Sequence, residues 1–139
     1  MAFKGAYNKA MIEAISSFSG ISVDNIKKAR EFYVDTLQLA LIDDSMGLRL
    51  ALPGGGELFI YEKPNHEPAS FTVLNFVVES IDHTVEHLTG HHGIQLEIYD
   101  NLAAPQDEDG VLRGKAAGQG PDIAWFKDPA GNILAVLEA

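Results

Sequence analysis

Two stretches of this chain share one pattern and decide its fold: residues 18–26, FSGISVDNI, and residues 73–81, VLNFVVESI. Each runs from an apolar segment of strand length into a polar pair, Asp24-Asn25 or Glu79-Ser80, and then into a helical stripe. Asp and Asn are residues that commonly begin helices. The offset of 55 between the stretches therefore indicates an internal repeat of a strand followed by a helix.

A second match closes each repeat. An offset of 75 places GELFIYE, which begins at residue 56, on the stretch GNILAVLE, which begins at residue 131. The elements predicted between the matches are strands at Phe18–Val23, Leu39–Asp43, Leu48–Leu52, Leu58–Glu62, Phe71–Val78, Ile94–Tyr99, Ile123–Lys127 and Ile133–Leu137, and helices at Ile26–Leu37 and Ile81–Leu88. Each half thus reads βαβββ. We predict an α+β fold in which two modules form one curved eight-stranded mixed sheet with the helices outside.

The domain organisation follows from the length and the repeat. A chain of 139 residues is typical of one compact domain, so we predict a single domain over residues 1–139. Module one covers about residues 17–63 and module two about residues 71–138. Apolar residues at helical spacing also predict an N-terminal helix at about residues 6–16.

Composition excludes several classes of protein. The chain has no cysteine, which excludes disulfides, thiolate zinc sites and cysteine nucleophiles. Its formal net charge of −10 disfavours nucleic acid and anionic membrane surfaces as partners. No apolar stretch is long enough to span a membrane, and the N-terminus has polar residues where a signal peptide would be apolar. We therefore expect a cytoplasmic protein without nucleic-acid or membrane partners.

Two motifs connect the chain to a known family. Residues 21–33, ISVDNIKKAREFY, form a strand and a helix ending in Phe-Tyr, and residues 125–132, WFKDPAGN, form a hairpin turn. Both resemble motifs of the vicinal oxygen chelate superfamily, which includes glyoxalase I, extradiol dioxygenases, fosfomycin resistance enzymes and bleomycin-binding proteins. The resemblance covers roughly residues 17–138 and implies the glyoxalase-like fold.

The resemblance also implies a site for one divalent metal, held by His or Glu from the first and fourth strands of each module. Carried over, these ligand positions are Phe18, Ile60, Val73 and Ala135, which are all apolar. They offer none of the oxygen or nitrogen donors that such metals need. The chain is therefore similar to the metal-free branch, which includes drug-sequestering binders, and we expect neither a metal nor a cofactor.

Strand alternation predicts which side chains line the cleft of the sheet. A turn of four residues between the last two strands of each half would set Arg49 opposite Ile60. It would likewise set Ala124 opposite Ala135. The predicted ligand-binding residues are Phe18, Ser22, Arg49, Ile60, Glu62, Val73, Asn75, Asp122, Phe126 and Ala135.

Three features of the predicted cleft stay open. Arg49 binds an acidic ligand group or Glu62, or it points to solvent at a strand end. Asn75, a residue type depleted in strands, binds ligand or makes an internal hydrogen bond. The long loop at residues 101–121 is a lid or a flexible surface segment.

The histidines give no strong sign of a metal site. His83 and His87 have the i, i+4 spacing of some zinc sites. The apolar residues Ile81, Val85 and Leu88 supply the buried face of the same helix, so we expect both imidazoles to point outward.

The leading hypothesis is a metal-independent protein that binds a small, partly apolar organic molecule, with a homodimer implied by the resemblance to bleomycin-type binders. One alternative is a glyoxalase-like lyase, isomerase or dioxygenase-like enzyme, metal-dependent or metal-free, with Glu62 or Asp122 as a base. Another is a non-catalytic interaction subunit. No catalytic residue can be assigned, and the charge of the ligand is left open.

Overall fold

The computed structural model of the chain describes residues 11–139. In the first half, β1 is Ser19–Val23, α1 is Ile26–Arg30 with a π-helical continuation at Glu31–Thr36, β2 is Ala40–Asp43, β3 is Leu48–Ala51 and β4 is Glu57–Glu62. In the second half, β5 is Thr72–Val77, α2 is Ile81–Glu86 with a π-helical continuation at His87–His91, β6 is Leu112–Arg113, α3 is Gly114–Ala117, β7 is Asp122–Lys127 and β8 is Ile133–Glu138. The predicted α+β class and glyoxalase-like fold are confirmed.

The eight strands lie in two four-stranded sheets, ordered β1-β4-β3-β2 and β5-β8-β7-β6. Within each sheet the first and last strands of the module pair in parallel, and the other pairs are antiparallel. The single curved sheet of the prediction is therefore divided in two within one chain. No helix within residues 11–139 is both long and apolar enough to cross a membrane.

Both sheets and both main helices contribute to one core. Tyr33 and Val85 from the helices, Ile60 from β4 and Leu134 from β8 belong to the same cluster of buried side chains. The helices thus pack on the core side of the sheets. One face of each sheet is used for this core, and the other face is left open.

Matching contacts show that the two halves are built alike. The side chains of Asn25 and Ser80 each accept a hydrogen bond from a backbone amide of the helix that they begin. The first amides of these helices donate to carboxylates at the ends of β4 and β8, which belong to Glu62 and Glu138. The helix starts are 55 residues apart, as predicted, but the two carboxylates are 76 apart, one more than the predicted 75.

The N-terminal helix predicted at about residues 6–16 is only partly within the described chain. Residues 6–10 lie outside it, and residues 11–16 contain a turn and no helix. The apolar side chains of Met11, Ile12 and Ile15 are almost fully exposed, so no packing stabilises a helical face there. Short helices without such packing are marginal in water.

The outer edge of the second sheet differs from the prediction. The strand predicted at Ile94–Tyr99 is reduced to a bridge between Leu96 and Phe126, and β6 continues the same edge. Val111, inside the predicted loop at residues 101–121, is buried in the core. This segment therefore packs on the core side, where Arg113 forms ion pairs with carboxylates of the loop and of α2.

Candidate functional site

The face of the first sheet that points away from the core is here called the first open face. Its side chains alternate with core residues such as Leu58 and Ile60, which are at most 1% exposed. The first open face carries Phe18, which precedes β1, and Ser22, Arg49, Ala51, Glu57, Phe59 and Tyr61. A cavity of about 500 Å³ lies on it, lined among others by Phe18, Ile42, Arg49 and Glu57.

Three aromatic rings form a row on the first open face. The ring of Phe18 meets that of Phe59 edge-on at 6.2 Å, and Phe59 stacks on Tyr61 at 5.9 Å. Phe18 is 67% exposed and Tyr61 40% exposed. Aromatic rings left open to solvent in a contiguous patch are typical of a binding surface.

An ion pair lies beside this row. Arg49 donates two hydrogen bonds to the carboxylate of Glu57, at 2.7 and 3.0 Å. The hydrogen bond raises the pKa of Arg49 and lowers the pKa of Glu57, so both groups stay charged. The partner that the sequence suggested for Arg49, Glu62, is replaced by Glu57. A ligand that binds either charge competes with this pair.

A polar tether joins the two halves at one end of the first open face. The hydroxyl of Ser22 lies 2.7 Å from Nδ1 of His66, whose Nε2 lies 2.9 Å from the carbonyl oxygen of Ala130. A carbonyl only accepts, so in the neutral imidazole Nε2 carries the proton and Nδ1 accepts from Ser22. The amide of Asn132 also donates to the backbone oxygen of Ser22, at 2.9 Å.

The outward face of the second sheet, the second open face, is partly covered by its one tryptophan. The indole of Trp125 on β7 donates a 3.1 Å hydrogen bond to the hydroxyl of Thr72 on β5. Because β8 lies between these strands, the indole crosses β8 above Ile133 and Ala135. This explains why both residues are buried although they face away from the core, at 9% and 0% exposure.

Two polar groups near the second open face are without a partner among residues 11–139. The amide of Asn75 is exposed and makes no hydrogen bond there, so the internal bond considered for it is not found. The hydroxyl of Tyr99, whose ring packs edge-on against Trp125 at 5.6 Å, is buried and unbonded. A buried polar group without a partner is uncommon and suggests a place for a ligand or water.

Three of the predicted cleft residues face the core instead. The loops between the last two strands of each half, residues 52–56 and 128–132, have one residue more than predicted. Arg49 therefore pairs with Phe59, and Ile60 points to the core. The same shift occurs in the second half. There Trp125 lies opposite Ala135, where Ala124 was predicted, and Phe126 is buried in the core. A one-residue slip turns every side chain of a strand to the other face.

Val73 is the third predicted cleft residue that faces the core, and the reason is an irregularity in β5. The register of β5 shifts between Thr72 and Leu74, so Val73 packs against the core and Asn75 remains outside. The irregularity breaks the alternation that placed Val73 in the cleft.

The two carboxylates proposed as bases are also on the helix side. Glu62 accepts the first amide of α1, Ile26, at 2.9 Å. Asp122 is 7% exposed and accepts the amide of Lys115 at 3.0 Å, with Arg113 nearby at 3.6 Å. Both carboxylates, which the sequence suggested as bases for a metal-free isomerase, are thus bound to backbone amides on the helix side of their sheets.

Sequence reasoning missed the aromatic pair Phe59 and Tyr61, as well as Trp125 and His66. In residues 58–61, LFIY, both alternating sets are apolar, so the pattern could not tell which set faces the core. His66 was assigned only to a linker. Its partners lie 44 and 64 residues away, and no local pattern points to them.

The sequence profile of the Glyoxalase/Bleomycin resistance protein/Dioxygenase superfamily matches residues 14–136. The chain belongs to this superfamily. A search of curated proteins gives no match.

Solved structures of the superfamily share the fold. TnmS3, an antibiotic binding protein from Streptomyces sp. CB03234, is 24% identical with a TM-score of 0.60, covering 90% of this chain and 97% of its own. A glyoxalase/dioxygenase from Nostoc punctiforme is 16% identical with a TM-score of 0.64, covering 93% and 94%. A superfamily member from Sphaerobacter thermophilus DSM 20745 is 22% identical with a TM-score of 0.62, covering 91% and 98%.

The residues of this superfamily member do not fit the divalent metal that the resemblance implies. Of the four carried-over positions, Phe18 and Ala135 lie on open faces, whereas Ile60 and Val73 pack against the core. Phe59, which takes the open-face position predicted for Ile60, offers no donor to a metal either. Glu57 is the carboxylate of β4 on this face, and Arg49 binds both of its oxygens. Among residues 11–139, no group of three or more His, Asp or Glu side chains could hold a metal ion.

Proposed function

We propose that this protein is a metal-independent binder of small organic molecules and that its ligand lies against the first open face. The observation that carries the proposal is the exposed aromatic row of Phe18, Phe59 and Tyr61 beside a cavity of about 500 Å³. Small-molecule sites are mostly apolar and contain a few polar groups that orient the ligand. The fold shared with TnmS3, an antibiotic binding protein, also supports this proposal.

The chemistry of the face suggests a ligand with a flat ring system. Stacked and edge-on aromatic contacts favour planar partners. The Arg49–Glu57 pair lies next to the row and has no net charge, so it offers hydrogen bonds to polar groups of either sign. We therefore infer a partly apolar, planar ligand with at least one polar substituent.

The residues at the expected ligand positions support metal independence. A divalent metal in this superfamily would need His or carboxylate side chains there, and Phe18, Phe59 and Ala135 hold the outward-facing positions. The nearby carboxylate of Glu57 is already bound to Arg49. We infer that binding depends on the aromatic row and its polar neighbours.

Unpaired strand edges support a homodimer. Among the strands of residues 11–139, β1 pairs only with β4, and β5 pairs only with β8. Exposed apolar side chains lie close to both edges, including Phe18 at 67% and Val77 at 72%. Free edges and apolar patches of this kind are normally covered. Placing β1 of one chain beside β5 of another would join the two sheets into eight strands, with one open face from each chain lining a shared cleft.

The metal and oligomer parts of the proposal are tested first. We expect the purified protein to contain no stoichiometric metal and to show no thermal shift with Ni²⁺, Zn²⁺, Mn²⁺ or Fe²⁺. We expect light scattering after size exclusion to give twice the mass of the 15.1 kDa chain. A stoichiometric metal required for ligand binding would overturn metal independence, and a monomeric mass at all concentrations would overturn the dimer.

The ligand site is tested with a thermal-shift screen of planar aromatic compounds that includes bleomycin. A ligand at 100 times its dissociation constant stabilises the protein by about 2.7 kcal/mol. For a hit, Phe59→Ala and Tyr61→Ala should each weaken binding by about tenfold, equivalent to about 1.4 kcal/mol. Ile12→Ala, an exposed apolar residue outside the first open face, is the control. Unchanged affinity in both aromatic variants would place the ligand elsewhere.

A further inference from the structure

The internal repeat creates two equivalent junctions between the halves, and only the first is polar. At the first junction, the hydroxyl of Tyr33 donates to Asp128 in the β7–β8 turn at 2.6 Å. The carboxylate of Asp128 also accepts from the Asn132 side chain at 2.9 Å. These contacts fill the space between the first helix and the second module.

The second junction lies between the second helix and the β3–β4 turn, and its equivalent residues are apolar or lack a side chain. An offset of 55 places Leu88 at the position of Tyr33. The matching hydrogen bonds in the two turns relate Leu52 to Asp128 and Gly56 to Asn132. The phenol, the carboxylate and the amide of the first junction thus have no counterparts here.

A cavity of about 260 Å³ lies at the second junction. It is bounded by the end of the first helical segment, Pro53 of the β3–β4 turn, the end of β5 and helix α2. Its deepest residues, Leu88, Phe126 and Val136, are at most 7% exposed. Since a dry apolar cavity of about 150 Å³ already admits benzene, this cavity has room for a molecule of about two fused rings.

Imidazoles line the mouth of this cavity. The rings of His87 and His92 lie 5.3 Å apart, and His87 also stacks on His91 at 4.6 Å. Of the residues from 11 to 139, none with a carboxylate side chain lines the cavity, although the chain has 20 Asp and Glu residues. The mouth therefore suits a hydrogen-bond acceptor or an anionic group, which neutral imidazole N–H groups can bind and protonated ones bind more strongly.

The backbone is irregular at the same place. The first π-helical segment ends at Thr36 and the second begins at His87, and both residues line the cavity. Gln38, also at the mouth, has a φ of +60°, a conformation that residues other than glycine seldom adopt. Single π-helical turns and strained residues are concentrated at functional sites.

We propose that this cavity, the second-junction pocket, is a binding site for a compact apolar carboxylate. The apolar body lies against Leu88, Phe126 and the neighbouring strands, and the carboxylate lies at the mouth, within reach of the N–H groups of His87 and His92. Among residues 11–139, none that lines this pocket belongs to the first open face or to its cavity, so this site is separate from the one proposed above.

The pocket is tested with 1-naphthoate and its uncharged analogue 1-naphthamide, measured by calorimetry and ligand-observed NMR. We expect one 1-naphthoate to bind per chain in the Phe59→Ala background, in which the aromatic row of the first open face is interrupted. Leu88→Tyr, which introduces the residue of the first junction, should fill the pocket and weaken both probes by about tenfold or more. Thr84→Trp at the mouth is a second filling variant in case Leu88→Tyr unfolds the protein, which circular dichroism will show.

Histidine variants test the carboxylate. His87→Gln combined with His92→Gln should weaken 1-naphthoate by about tenfold and leave 1-naphthamide within about twofold. The amide side chains keep N–H donors for a neutral acceptor, but they cannot carry the positive charge that strengthens binding of a carboxylate. His83→Gln is the matched control, since its ring stacks on His87 at 6.3 Å but does not line the pocket. Phe59→Ala should leave both affinities unchanged.

Three results would overturn the proposal. The first is the absence of binding by either probe at millimolar concentration. The second is unchanged binding in folded filling variants. The third is loss of binding in Phe59→Ala, which would assign the probes to the first open face and leave the function proposed there intact.

Discussion

The hydroxyl of Tyr33 donates a 2.6 Å hydrogen bond to Oδ2 of Asp128, a residue 95 positions later in the chain. Both residues are buried, at 0% and 4% exposure. The other carboxylate oxygen of Asp128 accepts the backbone amides of Ala130 and Asn132. The carboxylate of Asp128 thus stabilises its own turn in the second module and also binds a side chain of the first helical segment, so it links the two halves.

Removing this hydroxyl should destabilise the fold. We expect Tyr33→Phe to lower the free energy of unfolding by about 1.5–3 kcal/mol, since a buried hydrogen bond to a carboxylate is lost. Urea denaturation measures the change. Tyr99→Phe is the matched control, because the Tyr99 hydroxyl is buried without a partner among residues 11–139 and its removal should be neutral or slightly stabilising. Equal losses in the two variants would contradict the assigned role of the Tyr33–Asp128 bond.

The same contact predicts a dependence of stability on alkaline pH. Burial, and next the charge of Asp128, raise the pKa of Tyr33 above its ordinary value of 10.0. Above about pH 10 the unfolded chain releases the phenol proton while the folded chain keeps it, so the free energy of unfolding should fall as pH rises. Tyr33→Phe should flatten this fall in urea titrations between about pH 8 and about pH 11. Burial also raises the pKa of Tyr99, so Tyr99→Phe measures how much of the fall in the free energy of unfolding comes from Tyr99.

The Arg49–Glu57 pair should affect ligand affinity more than stability. The two side chains are 52% and 34% exposed, so breaking the pair should change the free energy of unfolding by less than about 1 kcal/mol. For an anionic ligand, Glu57→Gln should strengthen binding by freeing the guanidinium, and Arg49→Ala should weaken it. A cationic ligand should reverse both signs, and calorimetry would thereby reveal the charge of the ligand.

An exposed pair elsewhere provides the control for this experiment. Arg30 lies 3.4 Å from Asp44, with exposures of 44% and 52%. Arg30→Ala should leave ligand affinity unchanged. If Arg49→Ala and Glu57→Gln also leave it unchanged, the pair does not contact the ligand.

Ala135 should tolerate no larger side chain, because the indole of Trp125 lies across β8 at this position. Ala135→Leu should displace the indole, lower the free energy of unfolding by about 1–3 kcal/mol and shift the tryptophan emission to longer wavelength. Thr72→Val removes only the acceptor of the indole and should cost about 1 kcal/mol. Wild-type emission in Ala135→Leu would show that the indole does not cover this residue.

The facing of β1 could be predicted from sequence, and that of β4 could not. In β1, Ile21 and Val23 alternate with Gly20 and Ser22. Only one of the two alternating sets has apolar side chains of any size, and that set packs against the core. In β4, both alternating sets of residues 58–61 are apolar. Which set lies opposite Arg49 depended on a loop that is one residue longer than predicted. Ser22 therefore lies on the first open face as predicted, whereas Ile60 packs against the core.

By itself, the sequence determined the repeat, the caps that begin both helices and the superfamily, because each depends on residue types within short stretches of the chain. Only the tertiary structure decided the division into two sheets, the aromatic row and the Ser22–His66 tether. It also decided that the first junction is polar and that the second contains a cavity. Most of these depend on contacts between residues far apart in the chain, such as Ser22 with His66 at 44 positions, Tyr33 with Asp128 at 95 and Ser22 with Asn132 at 110. Their energies come from side chains that local patterns do not bring together.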